Sequence, residues 1–133
     1  MNEFCSGIHV LVKKGNKYLI LKRSVSDNED PNYWDLPGGG IKFGEQPSQA
    51  AVREAKEEAG VKVKVLNILG LWAIPYKGEW SIESIAFTEY VSGEVRLSDE
   101  HNDYKWVDKQ TLSAIKPKSI SLKALIKYCQ GYA

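Results

Sequence analysis

The sequence predicts an α/β or α+β fold, and three features of its hydrophobic pattern carry that prediction. Short apolar runs at residues 8–12 and 18–21 are typical of buried strands. A segment of good helix formers follows at Pro47–Ala59, and a β-branched, aliphatic stretch follows that helix at residues 61–74. Because strands lie on both sides of a central helix and another helix closes the chain, we expect a sandwich in which helices cover a sheet.

The turns and the shorter strands follow from local residue chemistry. Residues 13–16, Lys-Lys-Gly-Asn, favour a hairpin turn between the first two strands, and the polar residues 24–32 indicate a loop. A further strand is expected at residues 82–91, followed by a turn at Gly93. A short strand is expected at residues 104–107.

Two helices are expected near the end of the sequence. Asp108 is a favourable N-cap residue and predicts a brief helix at residues 109–115, before Pro117. In the last segment, apolar residues recur at helical spacing, which predicts an amphipathic helix that docks on the core. The apolar residues of that helix are Leu122, Leu125, Ile126 and Cys129.

The central helix has ends that can be recognised from the sequence. Pro47 suits the first turn of a helix, and Gly60 suits the left-handed residue that follows one. Gln46 is a weak cap, since Ser, Thr or Asp is preferred at that position. The sequence therefore predicts a helix that begins at Pro47 and ends at Ala59.

Three glutamates share one side of this helix. At about 100° per residue, Glu54, Glu57 and Glu58 fall within an arc of roughly 100°. Ala50 and Ala51 share that arc and leave room above the helix. A second side is apolar and is expected to face a core. It consists of Val52, Ala55 and Ala59.

Carboxylates on one stripe repel each other, and a divalent cation that prefers oxygen ligands relieves the repulsion. Mg²⁺ or Mn²⁺ fits such ligands. Arg53 and Glu57 are spaced for a helical ion pair, although Glu45, in the loop before the helix, could instead reach Arg53 and fix it. An acidic stripe alone is also typical of a solvated helix surface, so the interpretation depends on the residues around it.

These surrounding residues resemble the Nudix box, whose pattern is G-x5-E-x7-R-E-U-x-E-E-x-G-U, where U is bulky and apolar. The U positions hold Ala55, which is smaller than usual, and Val61. The W-x-L-P-G-G stretch that begins at Trp34 is also similar to what precedes such boxes. The fixed letters of the pattern fall on Gly39, Glu45, Arg53, Glu54, Glu57, Glu58 and Gly60.

The resemblance to the Nudix (MutT-like) family implies a fold and a chemistry. The implied fold is an α/β/α sandwich with a mixed sheet, and residues 1–133 would form a single Nudix domain. The family hydrolyses a nucleoside diphosphate linked to another moiety. Water attacks one phosphorus of the pyrophosphate, and a phosphate-containing group leaves. The implied cofactor is Mg²⁺, with Mn²⁺ as an alternative.

The same resemblance implies a role for each matched residue. Glu54 would bind metal or orient water, while Glu45 and Arg53 would position the helix and its glutamates. The implied metal ligands are Glu54, Glu57, Glu58, Glu100 and the backbone carbonyl of Gly38. The implied catalytic group consists of Arg53, Glu54, Glu57 and Glu100. The residues with a structural part in the motif are Gly39, Glu45 and Gly60. Residues that bind the rest of the substrate are not predicted.

A second acidic segment lies far from the box in the sequence. Glu100, His101, Tyr104 and Trp106 match the form E-H-x-x-Y-x-W, in which many Nudix proteins have an acidic loop followed by an aromatic strand. Glu100 is therefore the candidate outer metal ligand or general base, because polar loops often carry catalytic groups on a rigid scaffold. A solvated loop is the alternative, and two neighbouring aspartates compete with Glu100 for the role.

Several aromatic side chains have both structural and functional interpretations. Trp34 is expected to pack at the base of the box loop. Trp72, Tyr76 and Trp80 flank a polar loop, where they could stack on a nucleobase or pack at the rim of the core. His9 lies within an apolar run and is expected to be a structural strand residue.

Composition narrows the class of protein. The chain has 18 Lys plus Arg against 17 Asp plus Glu, so it has no basic field for tight, nonspecific nucleic-acid binding. Its 2 cysteines are no disulfide framework. No apolar run reaches the length of a membrane span, and residues 1–4 lack the features of a signal peptide. We expect a cytoplasmic protein that acts on a small-molecule nucleotide, without a membrane or a stable nucleic-acid partner; a homodimer stays open.

Together these features predict a Mg²⁺-dependent Nudix pyrophosphohydrolase with a nucleoside triphosphate as the favoured substrate. ADP-ribose, nucleotide sugars, oxidised nucleotides and dinucleoside polyphosphates stay open, because the residues that choose among them lie outside the box. A non-catalytic, nucleotide-sensing Nudix module and an interaction protein built on the fold are alternatives from other classes. Both would be free to lose box glutamates, and this chain keeps all of them, which favours an enzyme.

Overall fold

The computed structural model describes residues 3–24 and 31–131, without the side chains of residues 70, 71 and 128–131. The expected loop at residues 24–32 therefore lies largely outside the described residues, as does the side chain of Cys129.

The described residues form a seven-stranded sheet and three helices. In chain order the elements are β1 (Phe4–Lys14), β2 (Lys17–Arg23), β3 (Trp34–Asp35), β4 (Gly38–Gly40), α1 (Pro47–Ala59), β5 (Lys62–Tyr76), β6 (Glu79–Ser92), β7 (His101–Val107), α2 (Lys109–Ala114) and α3 (Ile120–Gly131).

The sheet is mixed, as expected. Its main strand order is β3-β2-β1-β6-β5, while β4 pairs with β1 and β7 pairs with β2. Strand β1 runs parallel to β6 from Phe4 to Lys13, and the other pairings are antiparallel. The predicted hairpin is present, with Gly15 at a φ of 61° in the turn between β1 and β2. Glycine adopts this conformation without a steric cost.

Side chains that alternate along β1 divide the core into two clusters on opposite faces of the sheet. Ile8, Val10 and Val12 pack in the cluster that includes the alanines of α1. Leu11 packs in the other cluster, where α2 contributes Leu112. Helix α3 contributes Leu122 and Leu125 to that second cluster, as its apolar spacing predicts. Helices thus cover both faces of the sheet, which confirms the expected α/β/α sandwich.

The structure corrects the faces predicted for α1. Ala50 and Ala51 are buried in the core rather than open above the helix, and Val52 is 39% exposed rather than packed. The helix lies close to the glycines of β4, so only small side chains fit between the helix and the sheet. The glutamates at positions 54 and 58 share this buried face and lie at its edge.

Trp34 is buried, in the cluster on the α3 side of the sheet that also contains Leu36. One further expectation is wrong in location. Strand β7 begins three residues earlier than expected, at His101, whose side chain is buried rather than in a solvated loop. Its pairing with β2, in which His101 lies opposite Arg23, extends the strand.

None of the described helices is long and apolar enough to cross a membrane.

Candidate active site

The ends of α1 fix the position of the glutamate stripe. At the start, the Gln46 backbone N–H donates to the Gln49 side chain over 2.9 Å, which compensates for the weak cap. At the end, Gly60 adopts a left-handed φ of 72° and its N–H donates to the carbonyl of Lys56. The helix therefore has the bounds that the sequence predicts, and its last turn carries Glu58.

The segment between β6 and β7 is held against the end of α1 by backbone hydrogen bonds. The Arg96 N–H donates to the carbonyl of Ala59 over 2.8 Å, and the Ser98 N–H donates to that of Glu58 over 3.3 Å. A Cβ at Gly60 would lie 3.0 Å from the Cβ of Arg96. This close packing brings Glu100 next to the box, although the two segments are far apart in sequence.

Arg53 is the centre of the polar network beside the stripe. Its Nε and Nη2 donate to both oxygens of Glu45 over 2.8 and 2.9 Å. Its Nη1 donates to Glu54 over 2.7 Å and to Glu57 over 3.2 Å, and Nη2 also reaches the carbonyl of Gly40. Both pairings considered from the sequence thus occur together. The hydrogen bonds from Arg53 lower the pKa of Glu45 to about 2, and the carboxylates raise the pKa of Arg53.

The glycines of β4 allow α1 to approach closely. A Cβ at Gly39 would lie 2.5 Å from Oε1 of Glu54, and one at Gly38 would collide with the backbone carbonyl of Ile8. The Gly38 N–H donates to Oε1 of Glu58 over 2.6 Å. Gly39, the first glycine of the box, therefore leaves space for the Glu54 carboxylate. Gly38, the residue before it, anchors the Glu58 carboxylate.

Replacing Gly39 with alanine is expected to displace the Glu54 carboxylate and lower kcat by about tenfold or more, since small misplacements of catalytic groups are costly. Gly40→Ala is the matched control, because a Cβ there would meet only the carbonyl oxygen of Ser6, at 3.9 Å. Steady-state kinetics of both variants test this. Equal activity of the two variants would show that the space beside Glu54 is not needed.

Two of the three stripe glutamates are buried. Glu54 is 8% exposed and Glu58 6% exposed, whereas the side chain of Glu57 is 55% exposed. Burial raises the pKa of Glu54. Burial, followed by the hydrogen bond that protonated Glu58 donates to the neighbouring Glu100 carboxylate, raises the pKa of Glu58 to about 9. Carboxylates buried so close together are stabilised by a cation, so the donor set fits a divalent metal ion.

The raised pKa of Glu58 predicts how stability depends on pH in metal-free protein. Between the unfolded value of 4.5 and the folded value of about 9, the folded state keeps a proton that the unfolded state releases. Raising the pH through this window therefore lowers the free energy of unfolding. Thermal unfolding in EDTA from pH 5 to pH 9 should show a falling Tm, and Glu58→Gln should flatten that slope. A slope that is the same in the variant would contradict the assignment.

The structure places Glu100 and His101 with the last glutamate of the box. Ligand atoms of Glu58, Glu100 and His101 all lie within 4.8 Å of one another. The sequence predicted a place in the site for Glu100 but gave His101 none. The sequence signal that could have identified His101 was its position directly after Glu100. His101 is also the first residue of β7, whose two end residues are both buried.

The aromatic residues near the β5–β6 turn divide into two groups. Trp72 stacks on His9 with 5.8 Å between ring centroids. His9 also contacts Glu83, at 3.3 Å, and Ser121, at 3.1 Å, on the α3 side of the sheet. Tyr76 and Trp80, in contrast, are 38% and 46% exposed at the turn.

Comparison with known proteins agrees with this geometry. A family model described as the NUDIX domain matches residues 4–129. The chain is 33% identical over 104 residues to an ADP-ribose pyrophosphatase of Methanocaldococcus jannaschii, a match that covers 77% of this chain and 60% of that protein. It is 33% identical over 129 residues to the NAD-capped RNA hydrolase NudC of Actinobacillus succinogenes, which covers 91% of this chain and 47% of that protein.

The fold agrees as well. A MutT protein from Methanosarcina mazei superposes with a TM-score of 0.85 at 23% identity, over 98% of this chain and 96% of that one. The chain spans less than two thirds of the length of the two curated relatives. The family model nevertheless matches residues 4–129, which is nearly the whole chain. The chain therefore belongs to the Nudix family.

Proposed function

We propose that this chain is a Mg²⁺-dependent pyrophosphohydrolase that cleaves a nucleoside diphosphate linked to another moiety. The observation that carries the proposal is the meeting of buried Glu54 and Glu58 with Glu100 beside the glycines of β4. Members of the Nudix family generally use a divalent metal. We further propose that the chain acts as a single Nudix domain.

In this proposal, the carboxylates of Glu54, Glu57 and Glu58 and the carbonyl of Gly38 would hold the metal, and Glu100 would be its outer ligand. A divalent cation bound there polarises phosphoryl oxygens and lowers the pKa of nearby water. The Gly38 N–H donates to Oε1 of Glu58, and Oε2 of Glu58 lies 3.9 Å from Nδ1 of His101. Glu57 is the most exposed of the three glutamates, and Arg53 contacts it over 3.2 Å.

Glu100 is also the proposed general base. Its carboxylate lies beside Glu58, on a segment tied to the end of α1, and it is exposed to solvent. It would accept a proton from the attacking water as the new P–O bond forms and the pyrophosphate P–O bond breaks.

Arg53 acts on the glutamates rather than on phosphate in this proposal. Its donors are directed to Glu45, Glu54, Glu57 and the carbonyl of Gly40. A guanidinium arranged in this way holds the glutamates in register for the ion. Arg53 and Glu45 are therefore positioning residues.

For the substrate we favour a small nucleotide, and among small nucleotides a nucleoside triphosphate. The balanced charge of the chain argues against tight binding to a long nucleic acid. The similarity to an ADP-ribose pyrophosphatase supports a second candidate, an ADP-ribose-like compound. Both contain a pyrophosphate linked to a nucleoside, and hydrolysis of either would give a nucleoside monophosphate.

A substrate panel with Mg²⁺ tests this proposal. It should contain nucleoside triphosphates, ADP-ribose, a dinucleoside polyphosphate and NAD-capped RNA, with products separated by chromatography. We expect the highest kcat/KM for a nucleoside triphosphate. A higher value for ADP-ribose would move the assignment to the second candidate, and preference for capped RNA would overturn the small-nucleotide class. Hydrolysis of none of them would contradict the proposed function.

A further inference from the structure

His101 is a buried histidine at the edge of the glutamate site. It is the first residue of β7, its side chain is 5% exposed, and its backbone N–H donates to the carbonyl of Ser98 over 3.3 Å. Pairing with Arg23 of β2 fixes its backbone in the sheet. The position of the side chain is therefore fixed by strand pairing and burial, in contrast to a side chain that rotates freely at the surface.

The imidazole faces the box glutamate that the backbone already anchors. Oε1 of Glu58 accepts the Gly38 N–H over 2.6 Å, and Oε2 lies 3.9 Å from Nδ1 of His101. That separation is longer than a hydrogen bond. His9 and Glu83, in contrast, lie 3.3 Å apart on the other face of the sheet.

This spacing matches two ligands of one ion better than a direct ion pair. Two atoms that are each about 2.1 Å from a shared cation lie up to about 4.2 Å apart. The Nδ1–Oε2 separation of 3.9 Å falls within that limit. Glu100 completes a group whose ligand atoms all lie within 4.8 Å of one another, close to the same limit.

We propose that His101 supplies a nitrogen ligand to a divalent cation held by Glu58 and Glu100. This inference rests on the proposed function, because it concerns the metal that the hydrolase would use. Carboxylates alone suit Mg²⁺, whereas an imidazole nitrogen favours more polarisable cations. The position should therefore bind Mn²⁺ or Co²⁺ more tightly than Mg²⁺, and His101 should be the residue that sets this preference.

Pulsed electron paramagnetic resonance of the Mn²⁺-loaded protein tests the inference. Echo-envelope modulation from a directly coordinated ¹⁴N is expected in the wild-type protein, and labelling with [¹⁵N]histidine should convert it to the ¹⁵N pattern. The chain has 2 histidines, so His9→Gln is the matched control and should keep the signal. His101→Gln should lose it, with at least about tenfold weaker Mn²⁺ binding and a smaller change for Mg²⁺.

The labelling experiment needs no variant, so the test holds even where a substitution at the buried position impairs folding. Mn²⁺ bound without any histidine nitrogen coupling would overturn the role of His101 and leave the proposed hydrolase intact. A coupling that persists in folded His101→Gln would also overturn it. Absence of Mn²⁺ binding, together with absence of hydrolysis in Mg²⁺ or Mn²⁺, would overturn both this inference and the proposed function.

Discussion

Glu57→Gln is expected to lower kcat by a factor on the order of 10², equivalent to about 2.7 kcal/mol of transition-state stabilisation. The substitution keeps the size and the helix propensity of the side chain but removes a charged ligand. The fold should be unaffected, because this side chain is 55% exposed and its contact with Arg53, at 3.2 Å, is one of several that Arg53 makes. Steady-state kinetics with saturating Mg²⁺ and circular dichroism measure the two effects separately.

Glu79→Gln is the matched control, since Glu79 is also exposed but lies at the β5–β6 turn. It should leave kcat unchanged. Wild-type kcat for Glu57→Gln, in a protein with an unchanged circular dichroism spectrum, would show that Glu57 is no ligand. The proposed metal site would then depend only on Glu54, Glu58 and the residues at the start of β7.

Arg53→Lys is expected to lower both stability and activity. The guanidinium donates to both oxygens of Glu45 and also to Glu54 and Glu57, and a lysine ammonium cannot reproduce that planar fork. Glu54, whose side chain is 10% exposed, would lose the 2.7 Å hydrogen bond that the Arg53 guanidinium donates to it. We expect the free energy of unfolding to fall by about 2 kcal/mol, a value reduced for the partial exposure of the network. Activity should fall by about tenfold or more because the glutamates lose their register.

Urea denaturation compares this variant with Arg96→Lys, which changes an exposed arginine beside the end of the same helix. The control should stay within about 0.5 kcal/mol of the wild type. If both variants unfolded at the same urea concentration and kept wild-type kcat/KM, Arg53 would be an ordinary surface residue.

The bounds of α1 were predictable because they depend on local chemistry. Proline in the first turn and a left-handed glycine after the last residue act on the chain regardless of what packs against it, and the helix spans Pro47–Ala59 as expected. The same holds for the β1–β2 hairpin and for the helix capped by Asp108, whose side chain accepts from the Thr111 N–H.

The faces of α1 were not predictable from periodicity. Helical spacing correctly grouped the glutamates with Ala50 and Ala51, but it does not say which side the sheet covers. That depends on the approach of β4, where Gly39 leaves space for the Glu54 carboxylate. As a result, Glu54 and Glu58 of the stripe are buried, whereas Val52 is exposed.

The pairing of His101 with the site was not predictable either. Its burial follows from the extension of β7 along β2 and from the docking of residues 96–98 on the end of α1, which are contacts between distant parts of the chain. The sequence did place Glu100 near the box, through its resemblance to the E-H-x-x-Y-x-W form. The distance of 3.9 Å between Nδ1 of His101 and Oε2 of Glu58 depends on those long-range contacts and could not be predicted from the sequence.

The central claim is that these carboxylates hold a divalent cation for the attack of water on a pyrophosphate phosphorus. The most direct test is hydrolysis of the preferred substrate in ¹⁸O-water, with Mg²⁺ or with EDTA, followed by mass spectrometry of the products. The account predicts turnover only with Mg²⁺, and one ¹⁸O atom on a phosphorus of a product that includes a nucleoside monophosphate. Label on a sugar carbon, or equal turnover in EDTA, would contradict it.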